Sequence, residues 1–305
     1  MQRHQKQQAE QSPVQYNYAS YSRTNSSFFY RNNEYTARSQ IGEGMFGKVT
    51  AFVNVASEDP DDCFAVKKPN SLFDDRYDEM NRSVLIREAE FWNMVYPHNA
   101  AILVHQKKKF HFFKPSIKEK CRLVMPCIKG KTLNDVLNDE IKTDPARQLA
   151  IILAAAQALH HDVHQHHVIH GDIKGDNIML NTASGQDIIT FIDFGLAYKA
   201  KRFRKDFLPM KLAAAVNYIA PERYAKAPLL CGHPSQDIFS FGYMILRRCP
   251  YLLDLEIGAV LSKTQSQNPN DRPNMPELIV ALEVALMQQS KLAANINHVQ
   301  PALTR

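Results

Sequence analysis

Cysteine, glycine and long apolar runs are all scarce in this 305-residue sequence. The five cysteines show no C-x-x-C spacing, which argues against a disulfide framework and a typical zinc site. No run of about 18 apolar residues occurs, so we expect no membrane-spanning helix. The first thirty residues are polar and lack the apolar core of a secretory signal, so we expect a cytoplasmic protein. Only eleven glycines occur, so each one is expected to mark a place where the backbone needs a residue without a side chain.

The composition is that of a globular protein, with 45% apolar and 22% charged residues. The net charge of +6 allows an acidic partner without requiring one. Shifts in composition predict a disordered polar arm over 1–33, a strand-rich lobe over 34–125, a mainly helical lobe over 126–288 and a C-terminal tail over 289–305. The fold class expected is therefore α+β, in two lobes.

Hydrophobic periodicity predicts the elements of each lobe. In the first lobe we expect one helix at 83–95 and strands at 35–41, 49–55, 63–67, 101–106, 109–113 and 122–126. In the second lobe we expect short strands at 168–169, 178–180 and 188–192. Helices are expected from Thr132, from Pro145 to about 163, at 236–247 and at 276–287.

The first chemical pattern is a glycine turn, in which Gly42, Gly44, Gly47 and Val49 form G-x-G-x-x-G-x-V. Glycine lets backbone N–H groups approach a phosphate chain closely. The turn lies between two predicted strands rather than before a helix, which argues against a dinucleotide fingerprint. A plain glycine hairpin without a ligand is the alternative.

A lysine at the end of the apolar strand that includes Ala65 is the second pattern. The charge of Lys67 needs a partner if it is buried, and Glu88 on the following helix is the candidate. Lys68 and Glu90 are the alternatives, but strand alternation and helix phase favour Lys67 and Glu88.

The third pattern is the segment H-G-D-I-K-G-D-N at 170–177, followed by D-F-G at 193–195. The carboxylate of Asp172 could accept a proton from an alcohol, and Lys174 could neutralise charge on a transferring phosphoryl group. Asn177 and Asp193 offer the oxygen ligands that Mg²⁺ prefers when it also holds phosphates.

Taken in order, these motifs resemble those of the eukaryotic-type protein kinases over residues 35–287. Three further motifs fit the resemblance: A-P-E at 220–222, the D-I-F-S-F-G motif that begins at Asp237, and Arg272 as the partner of Glu222. The connector between the lobes is identified at 125–128. The resemblance implies that Met125 is the gatekeeper, that Pro126 offers only its carbonyl to adenine, and that Ile128 offers its amide.

The resemblance implies a two-lobed kinase fold and Mg²⁺- and ATP-dependent phosphotransfer to a protein. It implies that Lys67 holds the α- and β-phosphates and pairs with Glu88. It also implies that Asp172 orients and deprotonates the attacking hydroxyl, and that Asn177 and Asp193 hold Mg²⁺. Lys174, two residues after the base, resembles the Ser/Thr-directed subfamily.

The sequence departs from the family pattern at three places. Gly171 replaces the arginine that reads a phosphate on the activation segment, and no Ser or Thr lies between Asp193 and Ala220. We therefore expect activity without phosphorylation of that segment. Ala215 replaces the family's threonine, which weakens the case for ordinary peptide recognition. The short stretch from Asp237 to Arg272 indicates a trimmed lobe, which would suit a bacterial effector acting in a host cytoplasm.

The activation segment is basic, with one acidic residue at Asp206 against Lys199, Lys201, Arg202, Arg204, Lys205 and Lys211. A solvated charged loop is one interpretation. An acidic substrate, an anionic membrane surface or a polyanion is the other. Nucleic acid is not expected, because no aromatic and basic binding module accompanies the charge. The oligomeric state is not indicated.

Two other functions remain open at this stage. The H-G-D triplet is typical of small-molecule kinases that act on aminoglycosides or choline. A catalytically silent protein with a kinase fold is the second alternative, although such proteins usually lose the lysine, the base or a metal ligand. Six histidines lie between 160 and 170, but their spacing does not favour a metal site.

Overall fold

The computed structural model describes residues 27–30, 33–44, 47–59, 62–69, 75–108, 118–139, 144–201, 203–204, 217–223 and 230–299. The chain forms two compact units. The N-terminal unit comprises 1–90 and 99–127, and the C-terminal unit comprises 91–98 and 128–305. The main division thus falls two residues after the expected boundary at 125, and the end of the first long helix belongs to the second unit.

The N-terminal unit is built on a six-stranded antiparallel sheet in the order β1-β2-β3-β4-β6-β5. Its strands are β1 (Ser27–Tyr30), β2 (Asn33–Gly44), β3 (Gly47–Asn54), β4 (Cys63–Pro69), β5 (Ile102–Lys108) and β6 (Lys118–Pro126). Helix α1 (Asp75–Val95) starts in this unit. The expected strand at 109–113 lies outside the described residues.

Strand β1 corrects the expectation of a polar arm that reaches residue 33. Phe28 is fully buried, stacks on Tyr35 and meets the edge of Phe52. Although the segment around it is polar, β1 forms because strand β2 supplies its backbone hydrogen-bond partners and because Phe28 packs into an apolar cluster. The remainder of the expected arm, 1–26, lies outside the described residues.

The C-terminal unit is mainly helical, as expected. Its helices are α2 (Leu133–Asp139), α3 (Pro145–Ala158), α4 (Ser235–Arg248), α5 (Gly258–Thr264) and α6 (Met275–Val299). Its short strands are β7 (Lys131–Thr132), β8 (Val168–Ile169), β9 (Ile178–Asn181), β10 (Ile188–Phe191), β11 (Tyr198–Lys199), β12 (Phe203–Arg204) and β13 (Leu230–Cys231). Helix α3 packs against α6 and buries its apolar face in the core of this unit.

The helix starts follow the capping chemistry of the sequence. The Thr132 hydroxyl accepts from the Asp135 amide and donates to its carboxylate, while the Asp144 carboxylate caps α3 ahead of Pro145. Helix α3 ends at Ala158 and continues as a π turn to Val163, so the expected long helix changes its winding over its last five residues. At the other end of the unit, α6 runs beyond 288, so part of the expected tail is helical.

Across the residues that the structure describes, none of the helices is both long enough and apolar enough to cross a membrane.

Candidate active site

The predicted site residues divide between the two units, and the glycine turn belongs to the N-terminal one. Strands β2 and β3 pair up to Gly44 opposite Gly47, with the two intervening residues outside the described part. A Cβ atom on Gly47 would lie 2.2 Å from the carbonyl oxygen of Lys68, whereas one on Gly44 would meet nothing within 4 Å. Packing therefore requires glycine at 47 but not at 44, where open space is left beside the backbone.

Lys67 and Glu88 form the expected ion pair. The Nζ atom of Lys67 lies 2.7 Å from Oε2 of Glu88, and the two side chains are only 5% and 1% exposed. Lys68 is half-buried and Glu90 is exposed. Lys67 and Glu88 are therefore the side chains that point into the unit, as strand alternation and helix phase predicted. A buried charge needs such a partner, because desolvation alone would neutralise it.

Antiparallel pairing places the connector residues beside the lysine strand. Ala65 lies opposite Met125, and Phe64 lies opposite Pro126. Ala65 and Met125 are both buried. Ile128, the predicted amide donor, is the first residue of the second segment of the C-terminal unit and is partly exposed.

Asp172 is the centre of the hydrogen-bond network in the C-terminal unit. Lys174 Nζ and Asn177 Nδ2 donate to its Oδ2 atom, at 2.8 and 2.9 Å. The hydroxyl of Tyr218 donates to Oδ1 at 2.7 Å. A carboxylate held by donors on both oxygens has a fixed orientation, as a group that accepts a proton during a reaction requires.

The loop that carries Asp172 is tied to helix α4 by Asp237. The Asp237 carboxylate accepts from the amides of His170 and Gly171 at 2.8 and 2.9 Å, and lies 3.1 Å from His164 Nε2. Burial opposes ionisation of this carboxyl, but the bond from His164 and the neighbouring donors outweigh it and hold its pKa below the usual value. The ionised form of Asp237 is therefore favoured, and it accepts both loop amides.

His170 is fully buried beneath that loop. Burial lowers the pKa of its imidazole, and this outweighs the opposite effect of the nearby carboxylates. The neutral ring fits its two contacts: Nδ1 accepts from the Asp172 amide at 3.3 Å, and Nε2 donates to the carbonyl of Ile192 at 3.0 Å. The ring also packs against Phe194 of the D-F-G motif.

Asn177 and Asp193 lie at the same end of a hairpin. Strands β9 and β10 pair with Ile178 opposite Phe191, and the amide of Ile192, the residue before Asp193, donates to the Asn177 carbonyl at 2.9 Å. The side-chain amide of Asn177 donates to Asp172, which leaves its oxygen available as a ligand. Together with the Asp193 carboxylate this donor set fits Mg²⁺, which binds through few protein oxygens and completes its shell with phosphates and water. Within the described ranges, no group of three or more His, Cys, Asp or Glu side chains could hold a metal.

Glu222 and Arg272 form the expected ion pair, and the structure shows it to be bidentate, with both N–O distances at 2.7 Å. Beside it, Arg223 donates to the carbonyl of Gly171. Gly171 has φ +77°, and a Cβ there would lie 2.7 Å from the carbonyl oxygen of Leu196. The family's arginine would therefore be strained at this position, and a different arginine contacts the loop.

Sequence reasoning did not identify the contacts that Tyr218 and Arg223 make with the loop. Both residues are far along the chain from the groups that they touch, by 46 and 52 positions. The sequence does hold one signal: with no Ser or Thr between Asp193 and Ala220, the side-chain hydroxyls of that stretch belong to Tyr198 and Tyr218, but nothing in the sequence indicates their partners.

These features define the architecture of a protein kinase. One unit is an antiparallel sheet with a buried Lys–Glu pair, and the other is helical, with an anchored H-G-D loop and a D-F-G hairpin. The protein kinase domain family matches residues 35–281, which is most of the chain, and the chain therefore belongs to that family. The kinase domain of Mycobacterium tuberculosis PknI has a similar fold. The TM-score is 0.51 over 82% of this chain and 95% of that one, at 20% identity.

Several similar sequences carry serine/threonine kinase names, which agrees with the predicted type. A probable serine/threonine-protein kinase of Clostridium acetobutylicum is 29% identical over 47% of this chain and 21% of its own length. The samkB kinase of Dictyostelium discoideum, also a probable one, is 25% identical over 82% of this chain and 42% of its own. CBL-interacting serine/threonine-protein kinase 1 of Arabidopsis thaliana is 28% identical over 78% and 50%. The chain thus spans half or less of the length of these relatives.

Proposed function

We propose that the chain transfers the γ-phosphoryl group of ATP to serine and threonine hydroxyls of protein substrates, with Mg²⁺ as the metal. The observation that carries this proposal is the Asp172 carboxylate, which is oriented by Lys174 and Asn177 in a loop anchored to Asp237. The serine/threonine names of the relatives and the lysine two residues after Asp172 support the choice of acceptor.

The proposed reaction is a single displacement at phosphorus. The substrate hydroxyl oxygen forms a bond to the γ-phosphorus, the bond from that phosphorus to the β,γ-bridging oxygen breaks, and ADP leaves. The hydroxyl proton passes to Asp172. Lys174 lies 2.8 Å from this carboxylate and can stabilise negative charge beside it, while Lys67 is held by Glu88 to bind the α- and β-phosphates. Mg²⁺ bound by Asn177 and Asp193 would neutralise phosphate charge.

Activity without phosphorylation of the activation segment is part of the proposal. Gly171 cannot carry a phosphate-reading side chain, and its carbonyl is bonded by Arg223 instead. Treating the enzyme with a protein phosphatase should therefore leave its turnover unchanged. Loss of turnover after complete dephosphorylation would contradict this part of the proposal.

The substrate preference we propose is for acidic partners, on the basis of the basic activation segment. Residues 202 and 205–216 of that segment lie outside the described part, and its sequence carries six lysine or arginine residues against one aspartate. Acidic peptides should show a higher kcat/KM than neutral ones of the same length, and the difference should shrink with added salt. Equal values at low salt would contradict the preference.

Transfer of radiolabelled phosphate tests the main proposal. The full chain is incubated with Mg²⁺ and ATP against a protein panel and a separate panel of aminoglycosides and choline. Wild type should label proteins, Asp172→Ala and Asp193→Ala should not, and Asp176→Ala should behave as wild type, because Asp176 is an exposed residue of the same loop. Labelling confined to the metabolite panel would identify a small-molecule kinase. No labelling on either panel would favour a silent kinase-fold protein.

A further inference from the structure

The contact between Tyr218 and Asp172 is not accounted for by the proposed roles of the loop residues. Lys174 and Asn177 both donate to Oδ2 of the carboxylate. Tyr218 donates to Oδ1 at 2.7 Å, from a different part of the chain. Bonds on one oxygen alone leave a carboxylate free to pivot about that oxygen, whereas a donor on the second oxygen fixes its plane.

The position of Tyr218 is set by a well-anchored stretch of backbone. Glu222, four residues on, pairs with Arg272, whose side chain is fully buried. Arg223 is buried, donates to the Gly171 carbonyl and lies over the ring of Tyr198. The segment that carries the hydroxyl is thus tied to the same loop that carries Asp172, through a second and independent bond.

The acceptor capacity and the charge of the Asp172 carboxylate indicate that the Tyr218 hydroxyl supports this group rather than blocking it. A carboxylate oxygen has two acceptor sites, so Oδ1 can accept from Tyr218 and still receive a substrate hydroxyl. Hydrogen bonds to an ionised acceptor are roughly twice as strong as neutral ones, so the tyrosine bond is well suited to hold Asp172 in one orientation.

We propose that Tyr218 is a positioning residue for phosphoryl transfer: its hydroxyl holds the Asp172 carboxylate in the orientation that accepts the substrate proton. This inference rests on the proposed function. It also gives a physical reason for activity without phosphorylation, because residues 218–223 reach the loop through the Tyr218 hydroxyl and the Arg223 side chain rather than through a phosphate.

The test compares Tyr218→Phe with Tyr198→Phe in the full chain. Tyr198 is the matched control, because it lies in the same segment and is buried, but its hydroxyl donates to Gln236. The measured quantities are the single-turnover rate of phosphate transfer to a substrate from the protein panel, the KM values for ATP and substrate, and the melting temperature. Loss of a hydrogen bond to a charged acceptor should slow the Tyr218→Phe transfer about 10- to 100-fold, with both KM values unchanged. Tyr198→Phe should keep the wild-type rate even if it melts earlier.

Site-specific 3-fluorotyrosine at 218 provides the conservative rescue, because it keeps the ring and the donor and should transfer at close to the wild-type rate. A faster Tyr218→Phe enzyme would show that the hydroxyl obstructs the base, and would overturn the inference. A wild-type rate would overturn it, as would a raised substrate KM at an unchanged rate. If wild type labels no protein at all, the proposed function fails. If wild type labels proteins and Tyr218→Phe matches it, only this inference fails.

Discussion

At the scale of single residues, Lys67 combines a structural role with a proposed functional one, and mutation can separate the two. Changing Lys67 to Met removes the ammonium partner from Glu88, whose side chain is 1% exposed. We expect the free energy of unfolding to fall by about 3–5 kcal/mol and phosphotransfer to stop. The double variant Lys67→Met, Glu88→Leu should recover most of the stability but none of the activity. Urea unfolding and the labelling assay measure the two effects.

The neighbouring Lys68 gives the matched control for this experiment. It is half-buried on the same strand, and Lys68→Met should change unfolding and turnover little. Recovery of phosphotransfer in the double variant would show that Lys67 has no part in the reaction.

His170 predicts a pH dependence of stability. Because its folded pKa lies below the ordinary value of 6.5, the unfolded chain binds more protons than the folded one below that pH. Stability from this group is therefore complete above about pH 6.5 and declines as the pH falls, by at most about 1.4 kcal/mol per pH unit. Urea unfolding at pH 7.5, 6.5 and 5.5 should show a shallower decline in His170→Gln than in wild type.

His160 also has a pKa lowered by burial and contributes with the same sign, so the difference between His170→Gln and wild type is the informative quantity. Equal slopes in those two proteins would mean that His170 is not held neutral in the folded state.

At the scale of secondary-structure elements, strand β1 makes an energetic prediction. Phe28 is fully buried, whereas its neighbour Phe29 is 44% exposed. Phe28→Ala should lower the free energy of unfolding by about 3–5 kcal/mol, because it opens a cavity against Tyr35 and Phe52. Phe29→Ala should cost less than about 1 kcal/mol. Equal losses in the two variants would show that β1 is not part of the folded sheet.

The glycine turn makes a second prediction at this scale. Gly44→Ala meets open space and should leave the melting temperature unchanged while it slows phosphotransfer, because a methyl group hinders close approach of phosphate. Gly47→Ala would place its Cβ 2.2 Å from a backbone carbonyl oxygen and should destabilise the sheet by about 1–3 kcal/mol. A normal rate for Gly44→Ala would remove the argument that this turn covers phosphates.

Sequence patterns predicted most elements because the signals are local. Asp144 and Pro145 mark a helix start in adjacent positions, and apolar alternation marked β3 and β4. Strand β1 escaped prediction because its polar surroundings hide two aromatic residues whose partners lie on other strands. The π turn over Leu159–Val163 was not predicted, because its five residues hold only two apolar side chains, Leu159 and Val163, too few to define a period.

At the scale of the whole molecule, the ordered set of motifs predicted the family, and the match over 35–281 confirmed it. The two-lobed α+β class was likewise confirmed. Long-range contacts were predictable only where a motif has a known partner, as with Glu222 and Arg272. The contacts of Tyr218 and Arg223 could not be predicted, because they depend on how two distant backbone segments meet. The roles of the individual site residues, the arm over 1–26, the cytoplasmic location and the effector origin stay predictions.

The anchoring of the H-G-D loop by Asp237 also has a consequence for hydrogen exchange. The amides of His170 and Gly171 donate to one buried carboxylate on helix α4, so neither can exchange with solvent unless the loop and that helix separate. In deuterated buffer these two amides should therefore be among the last to exchange, at a rate set by global opening of the C-terminal unit. Asp237→Asn, which keeps one acceptor oxygen and replaces the other with an NH2 donor, should make both amides exchange faster than in wild type.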